Sequence, residues 1–257
     1  MVWVVFGLLG VVSIVKKAEN FDVRIVSARL VSPSVRQMVL ERVGEGIVDF
    51  DPGQWVNLVL PLPDGEVRRA YSIASEPDGS NRFELAVTRV ETGAGSKYLH
   101  DLPVGAILSA IGPHGLFTRR ADDSNPALFV GTGTGVTPLR SMLRAALQHD
   151  AGAFLWLLLG VRHEEDILYR DEMEELEKKH PGVRFMVTLS RPGQTWNGSS
   201  GYVQTHVGPL LRELAAKSGA APHVYVCGLE RMVKSVRELC RGELGVDRKR
   251  VHTERYD

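Results

Sequence analysis

The chain has 257 residues, enough for two modest domains, and its 44% apolar and 24% charged content is that of an ordinary globular protein. Its 31 Lys and Arg balance its 31 Asp and Glu, and no basic run is interleaved with aromatics, which argues against a nucleic-acid partner. Two cysteines, Cys227 and Cys240, are too few for a disulfide framework or a built-in iron–sulfur module, and eight scattered histidines lack metal-type spacing, so no metal site is expected.

Residues 1–17 stand apart. Val2 to Val15 is almost wholly apolar and is followed by Lys16-Lys17. Three readings stand: a short membrane anchor, an uncleaved signal-like stretch, or a tail from an upstream start codon. A spanning helix needs about 20 apolar residues, so this stretch is short for one. If it inserts, the two lysines hold the rest of the chain on the cytoplasmic side. Low cysteine content fits a reducing compartment. The expectation is a cytoplasmic protein, with weak tethering to the cytoplasmic face of a membrane left open by the tail.

Residues 18–120 read as short strands at 23–30, 37–40, 55–60, 83–90 and 106–111. Pro61-Leu62-Pro63-Asp64-Gly65 and Gly112-Pro113 punctuate them, and one helix is expected near 96–102. Many short strands with Gly and Pro between them predict an antiparallel barrel or sandwich. The polar, turn-prone run Ala121-Asp122-Asp123-Ser124-Asn125-Pro126 sets the domain boundary. Beyond it, strands at 127–130, 154–159, 184–189 and 223–227 alternate with helices at 138–149, 166–179, 207–217 and 230–241. That alternation predicts βαβ units and a parallel sheet over residues 121–257.

Gly131-Thr132-Gly133-Thr134-Gly135 follows a strand and opens a helix. Such glycines let a backbone approach a pyrophosphate at a helix N-terminus. The third glycine of the full G-x-G-x-x-G pattern is Val136 here, and a plain strand-to-helix turn explains the run about as well. Val161-Arg162 and Ser190-Arg191 follow two later strands. A hydroxyl beside a guanidinium at such a strand end suits a 2′-phosphate, although a lone loop arginine is more often merely solvated. Cys227-Gly228 also ends a strand. A buried cysteine is usually a small hydrophobe, and its position at a strand's carboxyl end is what raises its interest.

Seven segments in order give a wider match. They are Pro52-Gly53-Gln54-Trp55-Val56, Arg69-Ala70-Tyr71-Ser72-Ile73-Ala74-Ser75, Gly93-Ala94-Gly95-Ser96-Lys97-Tyr98-Leu99, Gly112-Pro113-His114-Gly115, the glycine run at 131–135, Tyr225-Val226-Cys227-Gly228-Leu229, and Glu254-Arg255-Tyr256. Together they resemble the plant-type ferredoxin–NADP reductase superfamily over about residues 20–257. The resemblance implies a two-domain fold: an FAD-binding antiparallel β-barrel, then an α/β parallel-sheet NAD(P)-binding domain. It implies that FAD is held by Arg69, Ala70, Tyr71, Ser72, Ala86, Val87, Thr88, Ala94, Gly95, Ser96, Thr134 and Tyr256. NADPH, or NADH, is implied at Gly133, Thr134, Val161, Arg162, Ser190, Arg191, Tyr202, Gln204, Cys227, Gly228, Leu229, Met232 and Glu254. Ser72, Cys227, Glu254 and Tyr256 take the catalytic positions. Read without that likeness, Tyr71 suits a barrel core, Ser72 a strand edge, and Tyr256 a frayed terminus.

The sequence departs from the family pattern at Thr88 and Ser200, where plant members carry lysines, and continues past the tyrosine to Asp257. The expected activity is hydride transfer from NADPH to flavin, then single-electron transfer from a monomer to a ferredoxin or flavodoxin. The runner-up is an NADH-linked reductase of a haem protein or oxygenase component, resembling cytochrome b5 reductase. A nucleotide-binding electron-transfer subunit without turnover of its own is the third reading.

Overall fold

The computed structural model describes residues 18–256, so the expectation of an anchor at residues 2–15 falls outside the described residues. Among those described, no helix is long and apolar enough to cross a membrane.

The first half is one antiparallel sheet. β1 (Glu19–Ser32), β2 (Val35–Arg42), β3 (Trp55–Leu62), β4 (Gly65–Ser72), β5 (Arg82–Thr88) and β6 (Ile107–His114) lie in the order β4-β3-β6-β1-β2-β5. The sheet curls until its edges meet. Ile73, just past β4, bridges Leu85 of β5, and the Ala74 N–H donates to the Glu84 carbonyl at 2.8 Å. Alternation drives the curl. Val56, Leu58 and Leu60 of β3 face the same interior as Ile25, Leu40, Phe83 and Leu85. One helix, α1 (Ala94–Asp101), interrupts the strands and buries Leu99 against them.

The second half is a parallel sheet of β7 (Ala127–Thr132), β8 (Leu155–Val161), β9 (Val183–Leu189), β10 (Ser199–Ser200), β11 (His223–Leu229) and β12 (Val251–Tyr256). Their order is β10-β9-β8-β7-β11-β12. α2 (Val136–His149) and α3 (Arg170–Lys179) cover one face, while α4 (Gln204–Ser218) and α5 (Glu230–Arg241) cover the other. The strand order reverses beside β7, with β8 on one side and β11 on the other. Ligands of open α/β sheets bind at such a switch point, beyond the strands' carboxyl ends. The two halves also share a core: Val35, Ala86 and Phe117 pack in one cluster with Phe129, Leu139 and Met142.

Three expectations need correction. Neither β4 nor β12 was expected as a strand. In β4 only Ser72 is buried, so apolar alternation is lacking, and backbone pairing with β3 across Pro63-Asp64 holds it. β12 alternates through His252, Glu254 and Tyr256, polar or half-buried groups that the sequence does not mark as core. The helix expected over 166–179 is broken: a 3-10 turn at Glu164–Asp166 precedes α3, and Tyr169 between them takes a left-handed φ of 58°. Ile167, Leu168 and Tyr169 are buried in the core, and that packing wins over helical continuity.

Candidate functional site

Parallel pairing of β11 with β12 sets Cys227 opposite Glu254 and Leu229 opposite Tyr256. This places the last strand's side chains across from the barrel. The Tyr256 hydroxyl donates to Ser72 Oγ at 2.6 Å, joining residues 184 apart in the sequence. Thr137 Oγ1 lies 3.4 Å from the same Tyr256 hydroxyl and donates to the Thr134 carbonyl at 2.8 Å. Thr88 Oγ1 of β5 donates to Thr134 Oγ1 at 3.4 Å, a second hydroxyl contact across the domains.

Electrostatics at this junction follow from burial. Burial raises the Glu254 carboxyl to about 7, and a hydrogen bond with Ser72 only partly offsets it. Its Oε2 is buried without a partner. Burial, with Glu254 nearby, also pushes the Cys227 thiol far up, so it stays neutral and is no nucleophile at ordinary pH. Burial holds Tyr256 well above its usual range as well. The junction is therefore a largely buried cluster of neutral hydroxyl and thiol groups around one carboxyl raised toward neutrality.

Arg69 and Ala70 are exposed on β4, beside half-buried Tyr71, whose phenol burial pushes up to about 12 against the opposing Arg69 charge. Gly95 sits in the first turn of α1. A Cβ there would lie 3.1 Å from Leu60 Cδ1 and 3.4 Å from Arg69 Cγ, so the arginine stem lies across that turn. The helix has no side-chain cap at Gly93. The first N–H groups of any helix lack intrahelical partners, so those of Ala94, Gly95 and Ser96 are available. The Ser96 hydroxyl is otherwise engaged: it accepts from the Val90 N–H and donates to the Gly93 carbonyl, each at 3.0 Å. A guanidinium over an uncapped helix start fits a pyrophosphate. Ala86 and Val87 are buried in β5, where the Val87 carbonyl lies 2.8 Å from His100 Nε2.

The glycine run meets β11 closely. A Cβ on Gly135 would collide with the Cys227 carbonyl. Gly228 has φ 148°, and a Cβ there would strike the Thr132 hydroxyl and Met232. Gly133, at φ 52°, is open. Thr132 Oγ1 is buried and lacks a partner. Sequence reasoning passed over Thr132 in favour of its neighbours; its position inside the glycine run was the available signal.

Further along the sheet, the Ser190 N–H donates to the Val161 carbonyl at 3.0 Å and the Arg191 N–H to the Arg162 carbonyl at 2.9 Å. The ends of β8 and β9 thus present two exposed guanidiniums together. Tyr202, 68% exposed, and half-buried Gln204 stand at the start of α4. Leu229 is exposed and Met232 half-buried beside Gly228. The structure gathers Ser72, Thr88, Thr134, Cys227, Gly228, Glu254 and Tyr256 at one contact between the halves and sets Arg162, Ser190, Arg191, Tyr202 and Gln204 apart. β9 and β11 are separated by β8 and β7, about 14 Å at usual strand spacing, so one ligand touching both groups must be extended.

A curled antiparallel domain with an anion cradle, joined to a parallel sheet with a nucleotide turn at its switch point, defines a flavin- and nicotinamide-nucleotide-dependent oxidoreductase. Family models agree: the oxidoreductase FAD-binding domain matches residues 22–118, and the oxidoreductase NAD-binding domain matches residues 129–238. Ferredoxin–NADP reductase B of Sorangium cellulosum (strain So ce56) is 63% identical over 242 residues, covering 94% of this chain and 99% of that protein. The chain belongs to the ferredoxin–NADP reductase family. Phenol hydroxylase P5 protein of Acinetobacter pittii (strain PHEA-2) is 28% identical over 93% of this chain, which spans only 66% of that protein's length. The crystal structure of an Amycolatopsis cytochrome P450 reductase matches with a TM-score of 0.83 at 26% identity, covering 95% of this chain and 72% of that one.

Proposed function

We propose that this chain is an FAD-dependent reductase that takes hydride from NADPH and passes single electrons to a ferredoxin- or flavodoxin-type protein. It works as a cytoplasmic monomer, with an FAD domain at residues 18–120 and an NAD(P) domain at 121–257. The carrying observation is the cross-domain contact of Tyr256 with Ser72 at 2.6 Å, with Cys227 and Glu254 on the strands that bring Tyr256 there. Near-complete mutual coverage with the Sorangium protein supports the choice of acceptor class.

Bound FAD supplies what no side chain here supplies, the exchange of one two-electron transfer for two one-electron transfers. The chain's own residues bind, orient and dry the site. Arg69 and the start of α1 bind the flavin's pyrophosphate. Tyr71 and Tyr256 would supply aromatic surface for the flavin ring, and Ser72 would offer it a hydroxyl. Neutral Cys227 walls the nicotinamide pocket and excludes water, while Gly228 keeps that wall free of a side chain. Glu254 carries a proton near neutral pH and accepts or releases it beside Ser72. Thr132 Oγ1, buried and unpartnered, offers a hydrogen bond to the nicotinamide-side ligand. Positioning of this kind, in a site closed to water, is the protein's share of the rate.

Ser190 and Arg191, with Arg162 beside them, favour NADPH. Arg191→Ala should lower kcat/KM for NADPH about 10- to 100-fold, the loss of one charge-assisted hydrogen-bond pair, and leave NADH nearly unchanged. Equal small losses for both nucleotides would support the NADH-linked reading instead. Ser200 on exposed β10 and Thr88, in place of the family's lysines, favour that second reading.

A further inference from the structure

We propose that Arg140 is a positioning residue for hydride transfer, locking the exit of the flavin strand to the helix that carries the nucleotide turn. The inference rests on the flavin reductase reading above. Arg140 lies on α2 and is only 3% exposed. Its Nη1 donates to the Ala74 carbonyl at 2.7 Å and to Glu84 Oε2 at 2.7 Å, both in the barrel half. Its Nε and Nη2 donate to the Glu172 carboxylate of α3 at 2.9 and 2.8 Å. The guanidinium carbon lies 4.5 Å from the centre of the Tyr169 ring.

Each partner is itself held. Glu84 Oε2 accepts from Gln37 Nε2 at 2.7 Å, and Gln37 Oε1 accepts from Arg29 Nε at 3.0 Å. Ala74 belongs to the segment Arg69–Ser75 and follows Ser72 by two residues, so little freedom separates the clamp from the Ser72 hydroxyl. On the other side, Thr137 precedes Arg140 by three residues and shares its helix face. Thr137 touches both the Tyr256 hydroxyl and the Thr134 carbonyl. α2 therefore reads both sides at once. A shift of α2 relative to Ala74 moves Thr134, Thr137 and Gly135 away from Ser72.

The residue type is specific. Burial works against the Arg140 charge, but Glu172 and Glu84 outweigh it and raise its pKa. A planar fork with five donors on three nitrogens serves the Ala74–Glu84 side and the Glu172 side from separate atoms; a lysine ammonium puts its three donors on one atom. Arg144, one turn along, is the internal control. It pairs with Glu172 at 2.8 Å and with the Glu76 side chain at 2.6 Å, is about one-third exposed, and makes no hydrogen bond to the backbone of the strand exit.

The test uses full-length, FAD-loaded wild type, Arg140→Lys, Glu84→Gln and Arg144→Gln. Four quantities are read: FAD and NADP+ affinity, the anaerobic rate of flavin reduction by NADPH, the absorbance formed when NADP+ meets the reduced protein, and amide hydrogen exchange at residues 73–76 and 131–137. In Arg140→Lys, affinities should stay within about threefold. Reduction should slow at least about tenfold, the scale of an ångström-level misplacement, and exchange should rise in both segments. Glu84→Gln should move the same readouts in the same direction by less, and it serves if Arg140→Lys does not fold. Arg144→Gln, which frees the Glu76 side chain, should lower thermal stability and raise exchange at 73–76, without moving exchange at 131–137, the affinities or the rate of flavin reduction. Wild-type rates and exchange in both Arg140→Lys and Glu84→Gln would overturn the inference. A wild type that NADPH leaves oxidised would instead overturn the functional reading on which it rests.

Discussion

Glu254 is the group whose chemistry burial alters most usefully. Its carboxyl titrates near 4.5 when unburied and near 7 in the folded protein, because burial disfavours the charged form. Between those values the native state binds a proton that the unfolded chain has already lost. Stability therefore falls as pH rises through the window, and the loss is complete above about 7. The displacement corresponds to about 3 kcal/mol. Glu254→Gln should remove that slope, with a stability gain at pH 8 that vanishes by pH 4.5, measured as the difference in unfolding free energy from wild type. The same variant should lose the inflection near pH 7 in the rate of flavin reduction. The motifs singled out Ser72, Cys227, Glu254 and Tyr256, and the structure brings them together. Their environment was not legible in the sequence. Arg140 was invisible for the same reason, because its partners Ala74 and Glu84 lie 66 and 56 residues away in sequence.

At the scale of elements, α1 shows how a short helix is made into a binding device. Its eight residues bury only Gly95 and Leu99, too little apolar contact to fix its position alone. Arg36 of β2 supplies the rest. Its Nη1 donates to the Leu99 and His100 carbonyls at 2.6 and 2.9 Å, and its Nη2 to the Leu102 carbonyl at 2.8 Å. These are carbonyls that a helix end otherwise leaves unpaired. Arg36→Ala should free the C-terminus of α1 and let its N-terminus drift from Arg69. FAD affinity should fall about tenfold, with NADP+ affinity little changed, as read by flavin fluorescence on dilution. Elements with an apolar rhythm were legible: β1, β3, α1, α2, β8 and α5 stand near their expected places. β4 and β12 were missed because pairing, not hydrophobicity, makes them strands. α3 starts late because Ile167, Leu168 and Tyr169 turn inward to meet the core and Arg140.

Across the whole molecule, the decisive feature is that the two domains share a packed core. Phe117 and Ala86 of the first half lie in one core with Phe129, Leu139 and Met142 of the second. Such a junction fixes how the two halves face one another before any ligand arrives, which is what transfer between a flavin and a nicotinamide requires. Ser72 and Tyr256, 184 residues apart, meet because the barrel's edge and the sheet's last strand face one another there. The most direct test is an anaerobic titration of the purified, FAD-reconstituted full-length protein with NADPH and, separately, NADH, following the visible flavin bands. The account predicts about one FAD per chain and full bleaching near one equivalent of NADPH, with slower bleaching by NADH. A protein that retains no flavin, or whose flavin neither nucleotide bleaches, would contradict it.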